Sequence, residues 1–190
     1  MGSESMSRDD EKTPYALLLQ GINVGGHSRL SMTVLRDILR GLGFFEVRTY
    51  KQSGNAVVTT SLTAAQVAAR AGKALGEMLS RNVGVVVRTA AQLVDVVERW
   101  PFDEAVDPTT KHVMFLRQAS DAENLGRMPQ ETMGREHYWV SGTQIYLYLP
   151  GGMGCSKLGS WVTRRLAGTG STARNWNTVV ALRDMASGRC

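Results

Sequence analysis

The stretch Val47-Arg48-Thr49-Tyr50-Lys51-Gln52-Ser53-Gly54-Asn55-Ala56-Val57-Val58-Thr59-Thr60 contains two strand-like runs, 47–52 and 56–60, joined by a turn. Its joint, Ser53-Gly54-Asn55, uses residue types that accept the left-handed backbone a tight hairpin requires. What flanks this hairpin decides the fold class. Upstream, residues 15–20 (YALLLQ) form an apolar run with the length of a buried strand. Ser31 then caps a predicted helix over 32–41, with Met32, Leu35, Ile38, Leu39 and Leu42 on one stripe and Gly41 and Gly43 as its stop. Downstream, Thr63 opens a second helix, AAQVAARAGKALGEML, whose Val67, Ala71, Leu75 and Leu79 recur at helical spacing, and 83–88 is another strand. The order is βαββαβ, that of the ferredoxin-like unit.

A second set follows. Thr89 caps a helix, AAQLVDVVERW, that stops before Pro101, and a polar loop covers 102–110. Strand 112–117, a helix around 122–128, strands 138–141 and 144–149 and helix 158–166 repeat the order βαββα, and a last helix over 177–185 closes the chain. The turn Ser141-Gly142-Thr143 echoes Ser53-Gly54-Asn55. The expected fold is α+β, with two ferredoxin-like halves packed together and antiparallel sheets carrying helices on one face. The expected divisions are a disordered leader over 1–13, a first half over 14–88 and a second over 89–190.

Composition narrows the class. The 190 residues are 43% hydrophobic and 21% charged, which fits a folded globular chain rather than a disordered one. Lys plus Arg is 22 against 17 for Asp plus Glu, a formal +5 that serves solubility as readily as it serves an anionic partner. Cys155 and Cys190 form neither a disulfide framework nor a CxxC pair, so a reduced, cytoplasmic setting and no metal or cofactor are expected. The start lacks the apolar core of a signal peptide, and Met6 stands where a myristoylation signal needs Ser or Thr. The charge-free run 137–156 is broken by turns, so no membrane partner is expected.

Three segments attract a functional reading. The loop Gln20-Gly21-Ile22-Asn23-Val24-Gly25-Gly26-His27-Ser28-Arg29 lies between a strand and a helix, where glycines let the backbone approach a ligand and the helix start favours an anion. Its spacing matches neither GxGxxG nor a Walker A, and a tight crossover in which Asn23 bonds its own backbone explains it equally well. In Ser171-Thr172-Ala173-Arg174-Asn175-Trp176-Asn177-Thr178, Arg174 suits bidentate binding of phosphate or carboxylate and Asn175 suits a base or amide. The plainer account has Asn177 or Thr178 capping the last helix and Trp176 anchoring it. In Gly154-Cys155-Ser156-Lys157, Lys157 is a further cation and Ser156 an ordinary N-cap. His27, His112 and His137 are far apart, and no catalytic residue is assigned.

Together, LQGINVGG at 19–26, TYKQSGN at 49–55, SKL at 156–158 and TARNWNT at 172–178 resemble a bacterial family of unknown function, DUF1697, from Tyr15 to the final helix. The family pattern carries a basic residue where this chain has Gln20. The resemblance implies two ferredoxin-like halves and no established activity, cofactor or catalytic residue.

The leading expectation is a binding module for an anionic small molecule or nucleotide. Its candidate contacts are Gly21, Asn23, Gly25, Gly26, Arg29, Ser53, Asn55, Lys157, Arg174 and Asn175, and those loops must converge on one pocket. The alternatives are nucleic-acid binding, with Trp139, Tyr146 and Tyr148 as a stacking surface, and an enzyme acting on an anionic substrate. The oligomeric state is left open.

Overall fold

The computed structural model describes residues 12–23, 30–103, 106–126 and 134–189. Its elements run β1 (Thr13–Leu19), α1 (Met32–Gly41), β2 (Phe45–Thr49), β3 (Asn55–Thr60), α2 (Ala64–Leu79), β4 (Val85–Thr89) and α3 (Ala90–Glu98). A 3₁₀ turn at Pro108–Thr110 leads to β5 (Lys111–Phe115), and a longer one at Ala119–Leu125 precedes β6 (His137–Ser141) and β7 (Gln144–Tyr148). Then come α4 (Lys157–Arg165), β8 (Thr172–Asn175) and α5 (Trp176–Ala186). The architecture is α+β with two four-stranded antiparallel sheets, ordered β2-β3-β1-β4 and β6-β7-β5-β8.

Helix boundaries follow their caps. Ser31, Thr63, Thr89 and Ser156 each accept a backbone N–H three residues on, and Gln66 and Gln92 complete capping boxes with Thr63 and Thr89. The last helix differs from expectation. Its cap is Asn175, which accepts from the Thr178 N–H at 3.0 Å, so neither Asn177 nor Thr178 caps it. The segment read as a loop at 172–175 is the edge strand β8, completing in the second set the fourth strand that the sequence reading lacked.

Other differences are smaller. Strand β2 begins at Phe45 rather than 47, because a bulge between Phe45 and Arg48 holds Glu46 at φ 49° and lengthens the run toward its start. The helix expected around 122–128 is the 3₁₀ segment Ala119–Leu125, and 127–128 lie outside the described residues. Residues 1–11 of the expected leader lie outside them too, while Thr13 already pairs with Thr60 in the sheet.

Helices cover both faces of the first sheet, not one. Strand β1 is buried on both sides: Leu17 and Leu19 join Leu35, Leu39, Val67 and Leu75 of α1 and α2, whereas Ala16 and Leu18 join a second core. That second core takes Leu93 and Val96 from α3, Val179 and Leu182 from α5, and Val113, Phe115 and Tyr146 from the other sheet. The run YALLL has no polar alternation, so a strand made from it must be covered twice. Beyond the second sheet, Met114, Ile145 and Leu147 pack against Leu158 and Val162 of α4.

Candidate functional site

Two buried arginines join the sheets. Arg174 of β8 is 8% exposed, and its Nε donates to Asn55 Oδ1. Its Nη1 donates to Thr172 Oγ1 at 2.6 Å and to the Ala173 carbonyl at 2.7 Å. Its Nη2 donates to the Leu19 carbonyl at 2.9 Å and to those of Ser53 and Gly54, both at 3.3 Å. All five N–H directions are taken by the chain's own neutral oxygens. Burial lowers its pKa to about 10. Asn55, itself fully buried, donates to the Tyr50 carbonyl and to Ser53 Oγ, which fixes the hairpin turn that receives the guanidinium.

Arg88 of β4 does the reverse. It is 6% exposed and donates to the carbonyls of Val87, Leu116 and Thr143, the last two at the end of β5 and in the β6–β7 turn. Its Nε is enclosed and has no acceptor, and burial lowers its pKa to about 10 as well. The correspondence is close. Leu19 N–H donates to the Gly54 carbonyl and Leu116 N–H to that of Thr143, both at 2.9 Å, so Thr143 matches Gly54 rather than Asn55. Gly84 and Gly170 each stand four residues before their arginine, and a Cβ on Gly84 would come within 3.1 Å of the Gly170 Cα.

The first loop meets the same junction. Asn23 holds φ 58° while its Nδ2 donates to the carbonyls of Leu30 and Gln52 and its Oδ1 accepts the Leu30 N–H. Gly21 has φ 64°, and its carbonyl accepts from Arg81 Nη2 at 2.8 Å. Gly21, Asn23, Ser53, Asn55 and Arg174 therefore come together, although the side chains of Asn55 and Arg174 are engaged with each other and that of Asn23 with the backbone of Leu30 and Gln52. Asn175 is spent on its cap. Gly25, Gly26 and Arg29 lie outside the described residues. Lys157 is elsewhere, in a shallow hollow with exposed Cys155 and Trp161, where the helix start already binds the carboxylate of Glu136 through the Leu158 N–H at 2.9 Å.

Beside the junction runs a cleft of about 880 Å³ between α2 and the outer edge of β4. One wall is made of small residues, among them Ala64, Ala65, Ala68, Ala69 and Gly72; the other runs from Asn82 into β4 as far as Arg88. Gln20, Lys73, Arg117, Gly84, Gly168 and Gly170 also line it; among the described residues no acidic side chain does, and Lys73 pairs at 4.0 Å with Glu77 on the same helix. Cationic lining and small, close-approaching walls suit an anion with an uncharged body. Lys73, Asn82, Arg88 and Arg117 escaped the sequence reading. The signal for Arg88 was the spacing Gly84-x₃-Arg88, repeated as Gly170-x₃-Arg174.

Other chemistries find less support. Tyr146 is fully buried, with its hydroxyl donating to the Val96 carbonyl at 3.1 Å, and Tyr148 stacks on His137. Trp139, 58% exposed on edge strand β6, is thus not part of an open aromatic row with the two tyrosines. Among the described residues no group of three His, Cys, Asp or Glu is placed to hold a metal ion, and no helix is long and apolar enough to cross a membrane.

Two antiparallel four-stranded sheets, joined by a shared core and two exchanged arginines, define an α+β protein with a cleft at the junction. The profile of the DUF1697 family, described as a protein of unknown function, matches residues 13–146, and the chain belongs to that family. Among solved structures it is similar to the conserved bacterial protein SP0830 from Streptococcus pneumoniae, with a TM-score of 0.76 and 20% identity. That likeness covers 93% of this chain and 99% of the other. No curated protein matches the chain.

Proposed function

We propose that the protein is a binding module for an anionic small molecule, held in the cleft between α2 and β4. The observation that carries this reading is a lining that, among the described residues, includes Lys73, Arg88 and Arg117 and no carboxylate. An anion is the ligand such a surface favours. Gly21 and Asn23 act as supports that fix the loop leading away from Gln20, and Arg174 acts as the fastening of the sheet junction. The frame is read as two ferredoxin-like halves, 14–88 and 89–190; the shared strand order and the reciprocal arginines support that division. A reduced cytoplasmic setting accords with the free thiol of Cys155.

The test is thermal unfolding at low salt with inorganic phosphate, nucleotides and a short oligonucleotide. A ligand at a hundred times its Kd stabilises by about 2.7 kcal/mol, several degrees for a domain of this size. The expected result is a shift with an anion that Lys73→Ala and Arg117→Ala each abolish. Equal shifts in wild type and both variants would refute the site. A shift with the oligonucleotide alone would move the function to nucleic acid.

A further inference from the structure

The cleft has two unlike ends. Cβ atoms placed on Gly76 and Gly72 would each lie 3.2 Å from backbone, of Arg81 and of Val83 respectively, so α2 and β4 run in opposite directions along it. Gln20, Lys73, Asn82, Gly84, Arg117 and Gly170 therefore gather where β4 begins, and the alanines of α2 stand beside its later residues. Seven consecutive residues, 82–88, line one wall, the last four of them in β4. The volume lies within the range that encloses a whole small ligand and is far more than a lone phosphate needs.

The edge of β4 adds a pattern of its own. Gln20 N–H donates to the Gly84 carbonyl at 2.8 Å, so Gly84 faces β1. Alternation then turns the peptide groups of Val85 and Val87 away from β1, toward the outer edge that lines the cleft. Arg88 Nη1 takes the Val87 carbonyl, which puts the Val85 N–H and C=O and the Val87 N–H in a donor–acceptor–donor row along that edge.

Resting on the anion-binding reading, we propose that the ligand class is a nucleotide. Its phosphate lies at Lys73 and Arg117, and its base lies edge-on to β4, between Val85 and Val87 and the alanine wall. A base has both an uncharged flat body, for which Ala65 and Ala69 leave room, and a donor–acceptor edge that matches the strand. A sugar phosphate has the charge and its hydroxyls but no flat body for the alanine wall. An acidic peptide could pair with the strand edge, but it would spread charge along a cleft that concentrates its cations where β4 begins.

Titration calorimetry at low salt separates these ligands, using AMP, GMP, ribose 5-phosphate, adenosine and an acidic hexapeptide. At least one nucleotide is expected to bind tenfold or more tightly than ribose 5-phosphate. Ala69→Trp, at an exposed helix position, is expected to weaken nucleotide binding more than ribose 5-phosphate binding and so to narrow that difference. In amide NMR spectra, Val85 and Val87 are expected to shift with the nucleotide and not with ribose 5-phosphate. Equal affinity for nucleotides and ribose 5-phosphate would overturn the nucleotide class and leave the anion site standing. Tightest binding by the hexapeptide would replace the nucleotide with strand addition, and no binding of any anion would overturn both readings.

Discussion

At the scale of single residues, Arg174 and Arg88 separate a saturated buried cation from an incompletely saturated one. Arg174→Ala strands buried oxygens at Leu19, Asn55 and Thr172, each costing about 1–3 kcal/mol when left unpaired. Urea unfolding is expected to show a loss of about 3 kcal/mol or more, and a clearly smaller loss for Arg88→Ala, whose Nε has no acceptor to forfeit. Equal losses would contradict this account. His112 gives a pH signature. Burial pushes its pKa below the ordinary 6.5, outweighing the hydrogen bond to the Thr110 carbonyl that raises it. The unfolded chain then binds more protons than the folded one, so stability falls as pH drops from 6.5 through the folded pKa. His112→Gln is expected to flatten that part of the stability–pH curve, measured by denaturant midpoints.

Among the elements, the turn before β3 is tightly specified. Gly54 has φ 73°, and a Cβ there would sit 2.9 Å from Ile22 Cβ and 3.0 Å from Leu19 Cβ. Gly54→Ala combines backbone strain with overpacking and is expected to cost about 2–4 kcal/mol, read as a lowered Tm. Gly142→Ala, with a φ of 56° and no neighbour within 4 Å, meets only the strain and is expected to cost less. The same contrast explains what could be read from the sequence. Helices α1, α2 and α3 declare themselves through Ser31, Thr63 and Thr89, because capping is chemistry within four residues. The short polar strand β8 has no such signal: its TARN becomes a strand by pairing with β5, sixty residues earlier. The glycine-rich loop and the QSGN turn were recognisable as neighbours in function, but their convergence on Arg174 was not. Lys73 and Arg117 carry no local signal, since only the tertiary fold puts them on one cleft.

Across the whole molecule, the two sheets depend on one core. Ala16, Leu18, Val57 and Val86 of the first sheet meet Val113, Phe115 and Tyr146 of the second, with α3 and α5 between. A fragment ending at Thr89 would expose that face and leave Arg88 without Leu116 and Thr143. It is expected to show no cooperative thermal transition by circular dichroism, whereas the full chain unfolds in one step. The exchange of arginines also has a temporal side. As the polypeptide leaves the ribosome, Leu19, Ser53 and Gly54 wait more than a hundred residues for the guanidinium that closes them. The first sheet is thus synthesised long before it can be finished, and a nascent chain released early, at any point before residue 174, carries an open apolar face that chaperones and proteases recognise.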